Sequence, residues 1–291
     1  MLFRQVMTVE SDTLRLKIDR LFRQLISEVT ERGAGALSGE ELDAVARGCS
    51  AYLALYPGDA AARKTADGIW SECRRRMDAA GDSCGAGLLG ILRTMYALAY
   101  SAAAHPADFS RAEQCDLAAS RMLDAVLAAS AGPDIFPSSD KWEQAMLMDL
   151  TASLFQYVVP EDMEEEPAVG LFRMTTAAWK QELSSGNWTG TAAEPLMMHR
   201  LLVLETGADL FGTWRQDRLP APSDLSTAGG LSALVRILAR RLDDPAALAE
   251  ACAALERQLS LSPDISAVAS LLEGLGALRM LTEEGVVLNC A

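Results

Sequence analysis

Aromatic residues and histidines are scarce in this chain. Only 6% of its 291 residues are aromatic, and its two histidines are His105 and His199. Runs of β-branched residues are short and scattered while alanine is abundant, and this composition favours closely packed helices over sheets. With 50% of its residues apolar, the chain is long enough to bury a large core. We therefore expect an all-α protein.

The chain also lacks patterns typical of export, membrane insertion and several enzyme classes. Its six cysteines form no C-x-x-C pair, and no P-loop or H-E-x-x-H motif is present. Charged residues from Glu10 onward interrupt the amino-terminal region, so we expect no signal peptide there. The formal net charge of −14 opposes binding to nucleic acids and anionic membranes. We expect a cytoplasmic protein with neither a membrane segment nor a nucleic-acid partner.

Hydrophobic spacing and helix-stop signals predict about eleven helices with short connections. A capping box at Ser38–Glu41 opens the second helix, and Pro245 begins the tenth. The predicted helices cover residues 3–32, 38–56, 59–80, 84–104, 107–131, 140–157, 167–184, 192–213, 227–242, 245–259 and 264–284. We expect a single all-helical domain over 1–291, with a mobile connection at 160–167 where an acidic run precedes a proline.

Three glycine-rich phrases stand out, at 84–92, 228–235 and 270–278. Glycine inside a helix costs about 1 kcal/mol relative to alanine, so repeated use at helix positions needs a reason. Glycines without side chains would allow a neighbouring backbone or a ligand to approach the helix closely. The candidate ligand-binding residues are Gly85, Gly87, Gly229, Gly230 and Gly274.

These phrases resemble the Gly-Leu-x-Gly repeats that begin the inner helices of the lanthionine synthetase C-like (lanthionine cyclase) family, over roughly residues 80–285. The resemblance implies an α/α toroid. In that family a central zinc, held by two cysteines and one histidine, activates a peptide thiol. This chain has no Cys-His-Gly and no Trp-Cys-x-Gly. The candidate zinc ligands are Cys84, His199 and Cys252, but we expect no metal and no cofactor.

Three functions remain open at this point. The first is a non-catalytic or degenerate lanthionine cyclase-like toroid that binds a peptide or partner protein. The second is an α/α-toroid glycoside hydrolase that uses carboxylates such as Asp149, Glu205 and Asp209. The third is an open helical-repeat scaffold, because residues 52–61 resemble the end of a tetratricopeptide-type repeat. We favour the first function, in which the protein is not an enzyme.

Overall fold

The computed structural model describes residues 2–81, 86–101, 110–129, 219–242, 244–259 and 264–283. Within these ranges almost every residue is helical and none lies in a strand, which confirms the all-α prediction. The described part of the chain contains eight α-helices: α1 (Leu2–Arg32), α2 (Gly39–Leu55), α3 (Ala60–Ala80), α4 (Ala86–Tyr100), α5 (Ser110–Ala129), α6 (Ala228–Arg241), α7 (Pro245–Leu259) and α8 (Ile265–Glu283).

Local sequence signals determine most of these helix boundaries. At the start of α2, Ser38 Oγ accepts a hydrogen bond from the Glu41 backbone N–H, and the Glu41 carboxylate accepts one from the Ser38 N–H, so the predicted capping box is confirmed. Helix α7 begins at Pro245, as predicted. Helix α4 is shorter than predicted and ends at Tyr100. The helices predicted at 140–157, 167–184 and 192–213, and the connection at 160–167, lie outside the described residues.

The chain divides into two compact units. Unit 1 contains Met1–Ile69 together with Pro220–Ala291, and unit 2 contains Trp70–Leu219. Both ends of the chain therefore contribute to unit 1. The single domain over 1–291 stays a prediction.

Helix α8 is the centre of unit 1, where it packs against α1, α2, α6 and α7. A helix that is apolar on nearly all sides is stable only when it is surrounded by other elements. This is the pattern of α8, whose buried apolar side chains are Ile265, Ala267, Val268, Ala269, Leu271, Leu272, Leu275 and Ala277.

Two glycines allow the helices of unit 1 to pack closely. A Cβ atom at Gly274 would lie 2.6 Å from both Cys252 Sγ and Val235 Cγ1, which are on α7 and α6. A Cβ atom at Gly48 would lie 2.6 Å from Leu25 Cδ2. Gly274 lies in the middle of α8 rather than at its beginning. The sequence phrase around it therefore marks a helix crossing.

Unit 2 contains the carboxyl-terminal half of α3 with α4 and α5, and α4 packs against α5. The Arg111 guanidinium lies over the Trp70 ring, 5.0 Å from its centroid. The arginines near the end of α3 are in ion pairs: Arg75 and Arg76 both contact the nearly buried carboxylate of Glu72, at 2.6 and 2.7 Å. The last turn of α3 contains no basic residue, so these arginines form ion pairs within the helix rather than a cap at its carboxyl end.

Candidate functional site

A cleft opens on unit 1 where α1 meets the starts of α2 and α8, and we call it the α1/α8 cleft. Its volume is about 170 Å³. Three buried apolar side chains, Leu25, Ile265 and Val268, form its floor. Its other lining residues are polar or charged: Gln24, Glu28, Arg32, Glu41 and Asp264.

The turn between α1 and α2 brings two of these charges together. Gly33 ends α1 with a φ of +76°, a left-handed conformation that favours glycine. The chain then reverses, and the capping box at Ser38 fixes the first turn of α2. As a result the Arg32 guanidinium donates hydrogen bonds to both carboxylate oxygens of Glu41, at 2.6 and 3.0 Å. Such a forked pair has a well-defined geometry.

The residues that line the α1/α8 cleft carry a net negative charge. Glu28 Oε1 lies 3.8 Å from the Arg32 guanidinium, and Asp264 caps α8 by accepting a hydrogen bond from the Ala267 N–H at 3.1 Å. The lining therefore holds three carboxylates and one guanidinium. The hydrogen bond from Arg32, together with one from the Ser38 N–H, lowers the pKa of Glu41, so this carboxylate is ionised near neutral pH. The chemistry of the cleft suits a cation with apolar neighbours.

A buried ion network joins α2, α6 and α8 within unit 1. Arg47 donates to Asp43 at 2.8 Å and also pairs with Glu273. Arg236 Nε lies 3.5 Å from Glu273 Oε2. Burial by itself would lower the pKa of Arg47, but Glu273 and Asp43 outweigh it and raise that pKa. The two carboxylates and two guanidinium groups hold three helices together.

An aromatic cluster joins α1 to the end of α2. The rings of Phe22 and Tyr52 are stacked with their centroids 3.8 Å apart, and Tyr52 Oη donates to Asp19 at 3.0 Å. Tyr56 beside them accepts a hydrogen bond from Arg279 of α8. Burial, followed by the hydrogen bond to Asp19, raises the pKa of Tyr52. The cluster and the ion network both lie within unit 1, and their residues are different from those that line the α1/α8 cleft.

Comparison with known proteins identifies no relative. No protein-family model, no curated protein and no solved structure matches the chain. Among the helices that the structure describes, none is both long enough and apolar enough to cross a membrane.

Most residues that the sequence singles out for chemistry lie outside the described ranges. This applies to the candidate catalytic carboxylates Asp149, Glu205 and Asp209, and to Cys84, His199 and Gly85. The catalytic and zinc-ligand hypotheses for these positions therefore stay predictions.

Cys252 is the one candidate zinc ligand that the structure describes. Its side chain is 3% exposed, and burial raises the pKa of its thiol to about 12. It fills the space beside Gly274. Within the described ranges no three histidine, cysteine, aspartate or glutamate side chains are grouped so that they could hold a metal ion.

The candidate ligand-binding glycines have different surroundings. Gly229 is exposed, and a Cβ atom there would meet nothing within 4 Å. The Gly230 N–H caps its own helix by donating to Thr227 Oγ1 at 3.1 Å. The face of Gly274 is covered by α6 and α7. Gly87 lies in the first turn of α4. The two buried glycines thus serve a helix cap and a helix crossing.

Two further sequence patterns lie around the start of α4. Residues 81–85 match G-x-S-x-G, and residues 85–90 match G-x-G-x-x-G. Both motifs function in other proteins after a β-strand, which presents the nucleophile or the phosphate-binding turn. Here the preceding element is helix α3, which ends at Ala80. The context that would support a hydrolase elbow or a dinucleotide site is therefore missing at this position.

Proposed function

We propose that this chain is a non-catalytic, partner-binding helical protein whose α1/α8 cleft accepts a basic side chain from a peptide or partner protein. The observation that carries the proposal is the composition of the cleft. Carboxylates of Glu28, Glu41 and Asp264 surround a floor of buried apolar side chains. A lysine or arginine with apolar neighbours would satisfy both the walls and the floor.

The size of the cleft supports a side chain as its occupant. Sites for whole small molecules are typically about 300–1,000 Å³. At about 170 Å³ the α1/α8 cleft is smaller than this range. One side chain of a larger partner fits such a volume better than a free substrate or cofactor.

The overall charge supports a basic partner as well. With a net charge of −14, the protein attracts cationic segments over long distances and repels acidic ones. Complementary charge of this kind mainly increases the rate of association and the selectivity, while close contacts determine the lifetime of the complex.

We also propose that the whole chain is a degenerate lanthionine cyclase-like protein of the cytoplasm, arranged as an α/α toroid or an array of helical hairpins. The support for this part is the set of glycine-rich phrases in the sequence, together with the all-helical character of the described residues. The resemblance suggests a peptide as partner. Absence of the family's Cys-His-Gly and Trp-Cys-x-Gly motifs favours binding without cyclase chemistry.

The test is an array of nonapeptides that each carry one central arginine between varied apolar residues, with affinities of the best peptides measured by fluorescence anisotropy. The decisive variant is Glu28→Gln, because Glu28 lines the cleft without capping a helix. Its matched control is Glu31→Gln, which makes the same charge change on α1 outside the lining residues. We expect the first variant to bind about two- to fivefold more weakly than the second. Equal affinities would contradict the proposal.

A further inference from the structure

Arg32 is the basic residue that lines the α1/α8 cleft, and it contacts two of the cleft's three carboxylates. Its guanidinium forms a forked pair with Glu41 at 2.6 and 3.0 Å and lies 3.8 Å from Glu28. This fork is the geometry with which arginine recognises a carboxylate in general. The free protein therefore satisfies its own acidic wall with an arginine from the same chain.

The two members of this pair are held very differently. Glu41 has a second anchor, because its carboxylate accepts a hydrogen bond from the Ser38 N–H at 2.7 Å. Arg32 is the last residue of α1, followed directly by Gly33, and 35% of its side chain is exposed. The carboxylate would keep its orientation if the guanidinium moved away, and the guanidinium can move without disturbing buried packing.

We propose that Arg32 is an internal competitor that an arginine of the partner displaces from Glu41. This inference rests on the proposed function of the α1/α8 cleft and adds the identity of the recognised group, a guanidinium, and an autoinhibitory contact. The exchange replaces one forked ion pair with another, so the net number of charge pairs on Glu41 is unchanged. Arg32 remains near Glu28 after it is displaced. Binding is weakened by the free energy needed to remove the internal pair.

The experiment measures the affinity of the full chain for a fluorescein-labelled nonapeptide with one arginine between leucines, and for the same peptide with citrulline or lysine in place of arginine. Removing the competitor with Arg32→Gln should tighten binding of the arginine peptide by about two- to fivefold, since exposed ion pairs are worth little individually. Arg20→Gln is the control, because it removes the same charge from α1 away from the cleft lining. Arg32→Lys keeps the charge but loses the fork, so its affinity should lie between those of wild type and Arg32→Gln.

The outcomes separate this inference from the proposed function. If the arginine peptide binds in a Glu28-dependent manner but Arg32→Gln binds it no more tightly than Arg20→Gln does, the competitor role is wrong and the cleft remains the binding site. If neither wild type nor Arg32→Gln binds any of the basic peptides, both proposals are wrong. If Arg32→Gln increases the affinity for the citrulline peptide as much as for the arginine peptide, guanidinium recognition is wrong, because citrulline carries no charge.

Discussion

Replacing Gly274 with alanine tests the helix crossing at the centre of unit 1. The new Cβ atom would lie 2.6 Å from Cys252 Sγ and from Val235 Cγ1, well inside van der Waals contact. One of these atoms belongs to α7 and the other to α6, so relief of one contact does not relieve the other. Helix α8 or both of its neighbours must shift.

The expected loss is a balance of two opposing contributions. Overpacking in a close-packed core costs about 1–3 kcal/mol. Replacing glycine by alanine within a helix returns about 0.5–1 kcal/mol. We therefore expect Gly274→Ala to lower the free energy of unfolding by about 0–2.5 kcal/mol. Gly68→Ala is the control, because Gly68 is an exposed helical glycine with nothing within 4 Å of its Cβ position.

The assay is urea unfolding followed by far-ultraviolet circular dichroism, with free energies from linear extrapolation. The control should gain about 0.5–1 kcal/mol from its helix propensity alone. A Gly274→Ala protein as stable as the Gly68→Ala protein would refute the close crossing of α8 with α6 and α7.

Four other predictions follow from buried or strained groups. Glu273→Ala should lower the free energy of unfolding by about 3 kcal/mol, because it removes the carboxylate that the buried guanidinium groups of Arg47 and Arg236 share. Glu256→Ala removes an exposed ion pair and should lower it by under about 1 kcal/mol in the same urea assay. The hydrogen bond from Arg75 lowers the pKa of Glu72 from the usual 4.5 to about 2. The difference in free energy of unfolding between wild type and Glu72→Gln should therefore be constant above pH 4.5 and shrink as the pH falls towards 2. Burial raises the pKa of Cys49 to about 12, so iodoacetamide at pH 8 should leave this thiol unmodified in the folded protein and label it in urea, as read by peptide mass spectrometry. Leu242 follows α6 with a φ of +53°, a backbone conformation that strains a leucine by about 1 kcal/mol. Leu242→Gly should relieve this strain and raise the thermal unfolding midpoint, and a lower midpoint would contradict the strain argument.

The eight helices that the structure describes were predicted from the sequence because their signals are local. The capping box at Ser38, the proline at the start of α7 and the glycine after α1 each determine a boundary through neighbouring residues. The periodic apolar stripe of α1 likewise needs no knowledge of its partners. These features could be predicted from one segment at a time.

The meaning of the glycines and the position of the cleft could not be predicted in this way. In the sequence Gly274 belongs to a phrase that predicts a helix start. In the structure a glycine is needed there because side chains of α6 and α7 pack against it, and the nearer of these, Cys252, is more than twenty residues away in sequence. Arg32 and Glu41 belong to different predicted helices, and only the reversal after Gly33 brings them together. Asp264 reaches the same cleft from near the other end of the chain. Long-range packing of this kind leaves no periodic signal in the sequence.

Hydrogen–deuterium exchange with the arginine nonapeptide tests the central proposal most directly. When the peptide is bound to the full chain, we predict slower amide exchange in residues 24–32, 38–41 and 264–268, which surround the α1/α8 cleft. Binding that slows exchange only in other parts of the chain, or that leaves these three segments unchanged, would contradict the proposed partner site.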